Sequence, residues 1–439
     1  MDPEKTLRKR DLYLKKLIAF KDTEPVKVIT GIRRCGKSSL LGLMVEYLKT
    51  ECKISSEQII EINFESYNYK DMSADELYRY VKDRSVLGSR MYLFFDEIQR
   101  IDGWENAINA FRVDLYCDIY ITGSNAYLLS SEYSTYLSGR CVEIKMLPLS
   151  FTEFIDFHGF ALSESIDALG RGRKVVLDQS GVKYSLRELF DAYINFGGMP
   201  GIADVGLDLE RSLVLLDGIY SSVVVRDILE REKKRGRRQI TDSILLRKII
   251  MFLADNVGNS VSVSSIGNTL TNEGLIDRKG VPSTHTVQSY IAALLESYFF
   301  YEIKRFDIKG KDYLRTLSKY YIVDIGLRNY LLGYRDRDIG HILENIVYFE
   351  LLRRGYDVAI GKVDSAEIDF VATKADSKLY IQVTESMRGD EVRKRELRPL
   401  EAIRDNYKKI ILTLDPETER SHGGIETIDL IDWLLDKES

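Results

Sequence analysis

The stretch from residue 31 to residue 39 has the residue types and the spacing of a phosphate-binding loop. Gly31 and Gly36 are separated by four residues, and Lys37 and Ser38 follow directly. Glycines let successive backbone N–H groups turn toward a phosphate, lysine reaches the β- and γ-phosphate oxygens, and the serine hydroxyl binds Mg²⁺. The sequence therefore predicts a site for ATP and Mg²⁺. The residues expected to contact the nucleotide are Gly31, Ile32, Arg33, Arg34, Cys35, Gly36, Lys37, Ser38 and Ser39.

Two adjacent carboxylates, Asp96 and Glu97, follow an apolar run at 92–95. At the end of a buried strand, Asp96 would reach the Mg²⁺ beside Ser38, and Glu97 would orient or deprotonate an attacking water. Two acids in these positions predict hydrolysis of the nucleotide as well as binding. Acidic pairs also end ordinary strands as solvated turn residues, and the residues alone leave that alternative open.

Three more polar residues are candidates for the same site. Ser124 and Asn125 end the apolar run at 118–124, where Asn125, or less favourably Ser124, would position the water. The two residues would equally cap the helix that follows. Arg140 precedes the run VEIKM and would reach the γ-phosphate of a neighbouring subunit, or else lie on the surface near a helix end.

These side chains can meet only if the apolar runs around them form neighbouring strands. Such runs occur at 26–30, 59–65, 91–98 and 118–124, and helix-like stretches separate them. Short apolar strands that alternate with helices predict a parallel α/β sheet covered on both faces.

Beyond residue 151 the pattern becomes helical up to the charged run at 231–239, which is typical of a linker. Two helix-like segments and two strand-like runs follow, in the order of a winged helix-turn-helix. DNA is its candidate partner, although such a domain also serves as a packing module. The polar residues expected at the DNA are Thr284, His285, Gln288, Ser289, Lys304, Arg305, Lys309, Lys311 and Arg315.

The runs GIRRCGKSSLL, LFFDEIQ, ITGSNAYLLSSE and YINFGGMP together resemble the prokaryotic AAA-type ATPases (AAA_14) that carry a C-terminal domain called DUF4143. The resemblance implies an α/β multidomain fold, in which a P-loop AAA+-like parallel sheet core is followed by three further domains. The implied domains are the ATPase core at 1–158, a helical lid or connector at 159–238, a winged helix at 239–335 and a restriction-endonuclease-like domain at 336–439.

The last of these domains resembles the PD-(D/E)XK nuclease core, in which acidic side chains hold Mg²⁺ beside a lysine. Glu344 and Asp369 occupy two of the metal-ligand positions. Gln382 stands where a second strand carboxylate belongs and Thr384 where the lysine belongs, with Lys362 as a candidate for a migrated lysine. The alternative is a nuclease fold kept as a platform for binding or oligomerisation.

Composition limits the partners. The chain of 439 residues has 63 basic and 68 acidic residues, so a nucleic acid would need a local basic patch. No apolar run is long enough to span a membrane and the opening is charged, so we expect a cytoplasmic protein without a membrane partner. Four scattered cysteines predict neither a disulfide framework nor a zinc site.

Three functions are compatible with these features. The first is an ATP-driven machine acting on DNA, and the second is a nucleotide-gated switch or scaffold for a protein partner. The third is an ATP-regulated, metal-dependent nuclease. The sequence leaves open whether the chain forms a homo-oligomer.

Overall fold

The computed structural model describes residues 7–124, 139–166, 172–230, 240, 242–272, 283–310, 312–335, 338–415 and 421–436. The chain divides into two compact units. The first contains Met1–Leu147 and the short segment Glu296–Tyr298, and the second contains Pro148–Leu295 and Phe299–Ser439. Among the described residues, no helix has the length and apolar content that a membrane crossing needs.

The first unit is built on a five-stranded parallel sheet, which confirms the predicted parallel α/β core. Its spatial order is β2-β3-β4-β1-β5, so β4 lies between the strand that leads into the glycine loop and the strand that ends in the two acids. The strands are β1 (Val26–Thr30), β2 (Ile59–Asn63), β3 (Met91–Asp96), β4 (Cys117–Gly123) and β5 (Cys141–Lys145).

Four helices accompany this sheet: α1 (Asp11–Ala19), α2 (Lys37–Thr50), α3 (Ala74–Asp83) and α4 (Trp104–Asp114). Short 3₁₀ turns occur at Ser56–Gln58, Tyr67–Tyr69 and Ile98–Arg100. β1 and β3 are buried along their whole length, because parallel sheets carry helices on both faces. Leu93, Phe95 and Phe111 belong to one apolar core in which β3 and α4 pack together.

The second unit begins with a departure from the prediction of a helical connector at 159–238. After α5 (Phe151–Phe157), an antiparallel sheet is formed by β6 (Ala161–Ile166), β7 (Gly172–Leu177) and β8 (Lys183–Ser185). These strands were not predicted from the sequence because they are short and largely polar. The turn between β7 and β8 is closed by the Asp178 carboxylate, which accepts hydrogen bonds from the Ser180 and Val182 N–H groups.

The helical pattern is found after this sheet. The helices are α6 (Leu186–Phe196), α7 (Ile202–Val205) and α8 (Leu209–Ser222), which continues as a π-helix over Val223–Glu230. The Gly197–Gly198 turn after α6 packs against Asp324, whose carboxylate accepts a hydrogen bond of 2.6 Å from the Gly198 N–H. A Cβ on Gly197 would lie 2.3 Å from that carboxylate, so only glycine fits. Burial raises the pKa of Asp324 to about 6.

A nine-stranded mixed sheet forms the rest of the second unit, in the order β16-β17-β15-β14-β13-β12-β10-β11-β9. Its strands are β9 (Ser260–Val261), β10 (Phe300–Asp307), β11 (Asp312–Ile322), β12 (Asp357–Val363), β13 (Ala366–Lys374), β14 (Ser377–Thr384), β15 (Lys408–Thr413), β16 (Ser421–His422) and β17 (Ile425–Asp429). Its helices are α9 (Ser243–Asp255), α10 (Val263–Asn272), α11 (Thr284–Glu296), α12 (Ile325–Leu332), α13 (Ile339–Arg353), α14 (Asp390–Glu401) and α15 (Leu430–Leu435).

The hairpin of β10 and β11, predicted as the wing of a separate domain, lies inside this sheet. β10 pairs in parallel with β12, with Arg305 beside Ile360. Hydrogen bonding therefore runs without a break across the expected boundary between residues 335 and 336. The four-domain division stays a prediction.

Candidate nucleotide site

The glycine loop leaves β1 at the carboxyl edge of the sheet and leads directly into α2. Gly31 and Gly36 have φ values of +143° and +103°, which residues with a Cβ rarely adopt. A Cβ on Gly31 would also lie 2.2 Å from the Met146 carbonyl oxygen. Both glycines are therefore required for the loop to turn, as the spacing predicts.

Lys37 is buried against the loop. Its Nζ donates hydrogen bonds of 3.0 Å to the Gly31 carbonyl and 3.1 Å to the Ile32 carbonyl. Two neutral acceptors hold the ammonium at the position where the loop would receive a phosphate. Negatively charged phosphate oxygens would be stronger partners for the same donor.

The other loop residues predicted to contact the nucleotide divide into those with buried side chains and those with side chains at the surface. The side chains of Ile32 and Cys35 are buried in the core, so these residues offer only backbone groups to a ligand. Arg34 and Ser39 are exposed, and Arg33 pairs with Glu65 at 3.2 Å. The loop is thus a backbone cradle with few side chains available at its surface.

Asp96, at the end of β3, is held by three polar neighbours. Its carboxylate accepts hydrogen bonds of 2.5 Å from the Thr122 hydroxyl and 2.9 Å from the Asn63 amide, and the Ser38 hydroxyl also bonds to it. Burial raises the pKa of Asp96, and the Thr122 and Ser38 hydrogen bonds oppose that shift only in part. A carboxylate in this environment is stabilised by a cation.

Glu97 takes a left-handed backbone conformation, with φ of +57°. Its N–H donates a hydrogen bond of 2.9 Å to the Thr122 hydroxyl, and its carboxylate accepts one of 2.6 Å from the Gln99 amide. The Ser124 hydroxyl lies 3.5 Å from the same carboxylate oxygen. A strained turn that is fixed by side chains on both sides is a feature of functional sites.

Thr122 is the residue that sequence reasoning missed. Its single hydroxyl donates to Asp96 and accepts from the Glu97 backbone, so β4 fixes both acids at once. The threonine stands two residues before Ser124, in the predicted strand, where its alternating position was the only available signal.

The residues of this site fit ATP and Mg²⁺. Hydroxyl and carboxylate oxygens are the ligands that Mg²⁺ accepts, and the Ser38 hydroxyl already contacts Asp96. The raised pKa of Asp96 agrees with a cation site, because it shows that the buried carboxylate has too little positive charge around it.

Of the two other predicted catalytic residues, Asn125 and Arg140, the structure describes Arg140. Asn125 lies outside the described residues. Arg140 is exposed and precedes β5, and its carbonyl accepts a hydrogen bond from Val26 at the amino end of β1. The loop lies at the other end of that strand, roughly 17 Å away at about 3.3 Å per residue. Arg140 therefore has no place in the site of its own chain, and a role in a neighbouring subunit stays a prediction.

A second cluster of charged residues lies in the nine-stranded sheet, beside a cavity of about 1180 Å³. Glu344 of α13 and Asp369 of β13, the two predicted metal ligands, both line this cavity. Lys319 of β11 lies among the acids and donates to Glu344 at 3.2 Å and Glu367 at 2.9 Å. Burial would lower the pKa of Lys319, but the surrounding carboxylates hold it above its usual value.

The geometry does not support a metal at this cluster. Burial alone would raise the pKa of Glu344, yet His341 and Lys319 hold it below the usual value, so Glu344 already has its counter-charge. Burial and Glu344 raise the pKa of Asp369 well above the usual value. Among the described residues, no three His, Cys, Asp or Glu side chains are arranged to hold a metal ion.

The lysine beside these acids also differs from the predicted one. Lys319 belongs to the hairpin, about fifty residues before Asp369, whereas Lys362 was the candidate from sequence. Gln382 accepts a long hydrogen bond of 3.4 Å from the Asp369 N–H, and Thr384 bonds to the Ser386 carbonyl. The cavity is bordered by three cations of α14, namely Lys394, Arg395 and Arg398.

A comparison with known protein families finds a match in the first unit that contains the candidate nucleotide site. A family model described as an AAA domain matches residues 23–155, which contain the loop and both acids. A second model, a domain of unknown function named DUF8612, matches residues 187–338. The resemblance to proteins that carry DUF4143 is therefore not confirmed.

Solved structures similar to this chain include the Walker-type ATPase PABY2304 of Pyrococcus abyssi. It is 17% identical, with 74% of this chain and 95% of that chain covered, at a TM-score of 0.46. The ORC2 protein of Aeropyrum pernix is 11% identical, with 78% and 92% covered, at a TM-score of 0.38.

Two relatives match over most of their length. An uncharacterized protein of Haemophilus influenzae is 41% identical over 98% of this chain and 99% of its own length. The uncharacterized protein MJ1544 of Methanocaldococcus jannaschii is 30% identical over 89% and 82%. Residues 23–155 match the model of the AAA domain, and with identity sustained along nearly the whole chain this protein belongs to the same family as these two relatives.

Proposed function

We propose that this chain binds ATP with Mg²⁺ and hydrolyses it at the first unit. The observation that carries the proposal is the Thr122 hydroxyl, which contacts Asp96 and the Glu97 backbone together. This contact supports the proposal because it fixes Asp96 and Glu97 side by side at the end of β3, and Ser38 of the loop bonds to Asp96.

The chain's own residues divide the reaction between them. The loop N–H groups and Lys37 bind the phosphates, and Ser38 and Asp96 would hold Mg²⁺, which neutralises phosphate charge when bound. Glu97 accepts a proton from the attacking water. The water oxygen bonds to the γ-phosphorus while the bond from that phosphorus to the bridging oxygen breaks, and ADP and phosphate leave. Gln99 and Ser124 hold the Glu97 carboxylate.

Steady-state turnover tests this proposal. We expect Glu97→Gln to lose turnover, because an amide cannot accept the proton. Glu57→Gln is the matched control, since Glu57 is exposed in a 3₁₀ turn of the same unit. Equal turnover in wild type and Glu97→Gln would contradict the assignment.

For the partner, we propose DNA, bound at the exposed end of α11. Support comes from the order of α9, β9, α10, α11 and the hairpin, in which β9 pairs with β11 as a winged helix-turn-helix requires. Thr284, His285 and Gln288 are exposed on α11. The hairpin is a weaker candidate, because Lys309 pairs with Asp364 and Arg305 lies 4.0 Å from Glu367.

Turnover measured with and without duplex DNA decides between DNA and a protein partner. Stimulation that weakens with added salt supports DNA, because phosphate contacts release counterions. Turnover that DNA leaves unchanged would favour the nucleotide-gated protein switch. Light scattering with a non-hydrolysable ATP analogue would show whether copies assemble, which Arg140 needs in order to act on a neighbouring subunit.

A further inference from the structure

Three residues in the connection from α11 to β10 belong to the first unit, although the residues on both sides belong to the second. They are Glu296, Ser297 and Tyr298. Tyr298 is only 4% exposed and has φ of +58°, which is a strained conformation for a bulky side chain. Strain of this kind persists only where surrounding contacts fix it.

The Tyr298 side chain is connected through Glu143 to Thr30, the residue before the glycine loop, by two hydrogen bonds. Its hydroxyl donates to Glu143 Oε1 at 3.2 Å, and the Thr30 hydroxyl donates to the same oxygen at 2.5 Å. Thr30 is the last residue of β1 and immediately precedes Gly31. One carboxylate oxygen therefore connects Tyr298 to the residue at which the loop begins.

The flanks of this segment are fixed in the second unit. Phe299 is fully buried, its N–H donates to the Leu294 carbonyl at 3.1 Å, and its carbonyl accepts from the Val323 N–H at 3.1 Å. These two hydrogen bonds fix the residue that follows Tyr298 to α11 and to the residue that follows β11.

We propose that the hydrogen-bonded side chains of Thr30, Glu143 and Tyr298 couple nucleotide binding at the loop to a structural change in α11 and the hairpin. The inference rests on the proposed nucleotide binding. Phosphates that draw in the loop backbone change the position of Thr30, and Glu143 responds because it accepts both hydroxyls. Tyr298 then shifts, and the covalent chain carries the shift into α11. Coupling of this kind requires an element that both sites bias, and the proposal assigns that part to the strained Tyr298.

Hydrogen exchange tests the link directly. In wild type, a non-hydrolysable ATP analogue with Mg²⁺ should change amide exchange in residues 284–307. Tyr298→Phe removes only the donor hydroxyl, so it should bind the analogue within about threefold of wild type and lose that change. Tyr407→Phe is the control, because Tyr407 is half exposed and directly precedes β15.

A second pair of variants keeps the test decisive if Tyr298→Phe does not fold. Glu143→Ala should lose the exchange change, whereas Glu143→Gln, whose amide oxygen still accepts hydroxyls, should keep it. Wild type that binds the analogue without any exchange change at 284–307 would overturn the inference, as would a full change in Glu143→Ala. Wild type that fails to bind the analogue would instead overturn the proposed function, and the inference with it.

Discussion

At the scale of single residues, the candidate nucleotide site depends on the Thr122 hydroxyl, which positions the two acids and takes no part in the reaction itself. We expect Thr122→Val to leave the Asp96 carboxylate and the Glu97 N–H without their shared partner, in a buried environment. Misplacement of the two acids should lower turnover by about 10²-fold, and the lost hydrogen bonds should cost about 1–3 kcal/mol of stability. Measurements of kcat and of thermal unfolding check this, and Thr122→Ser should restore both.

The pKa of Asp96 leads to a second expectation at this scale. Burial raises that pKa, so the carboxylate is protonated as pH falls through a range above that of ordinary aspartates. Protonated Asp96 cannot hold Mg²⁺, and affinity for the Mg²⁺ nucleotide should therefore fall as pH decreases. Titration of analogue affinity from pH 8 to pH 5 measures this, and Asp96→Asn should bind weakly with little pH dependence. Affinity that rises toward low pH in wild type would contradict it.

At the scale of elements, Lys319 attaches the hairpin to the acids of α13 and β13. Lys319→Met should leave Glu344 without its ammonium in a buried place, and breaking such a pair costs about 3–5 kcal/mol. The matched control is Lys309→Met, since that lysine and Asp364 form an exposed pair expected to contribute less than about 1 kcal/mol. Denaturant unfolding compares the two, and equal losses would contradict a role for Lys319.

The same arrangement predicts that the nine-stranded sheet has little or no nuclease activity. Its candidate acids surround an ammonium, and Gln382 and Thr384 supply neither a carboxylate nor a lysine. Missing electrostatic groups typically cost about 10²–10³ in rate each. Incubation of DNA with Mg²⁺ or Mn²⁺ should show only background cleavage, and Gln382→Glu with Thr384→Lys should raise it. Robust cleavage that disappears in Asp369→Ala would show that this account is wrong.

At the scale of the whole molecule, short sequence patterns predicted the features that are formed by continuous stretches of the chain. The glycine loop, the apolar runs of β1 to β4 and the paired acids lie in continuous stretches, and the structure places them in one sheet. Thr122 and Lys319 act through partners 25 or more residues away, so no local motif identifies their partners. Sheet β6-β7-β8 was missed because its strands are short and polar.

The continuation of the β10–β11 hairpin into the nine-stranded sheet could not be predicted from the sequence for a related reason. A hairpin has the same alternation of apolar and polar residues whether its outer strand is exposed or hydrogen-bonded to a further strand. Only the register of β10 beside β12 shows that the hairpin continues the larger sheet. Strand pairing of this kind is set by tertiary contacts, which a single sequence does not display.

The most direct test of the central claim is the state of the nucleotide that stays bound after one turnover. Labelled ATP with Mg²⁺ is mixed with excess wild type, Lys37→Ala or Glu97→Gln, and the bound label is separated and identified. Wild type should hold ADP, Glu97→Gln should hold intact ATP, and Lys37→Ala should hold neither, because Lys37 binds phosphate and Glu97 acts on the water. Conversion of bound ATP by Glu97→Gln at the wild-type rate would contradict the account.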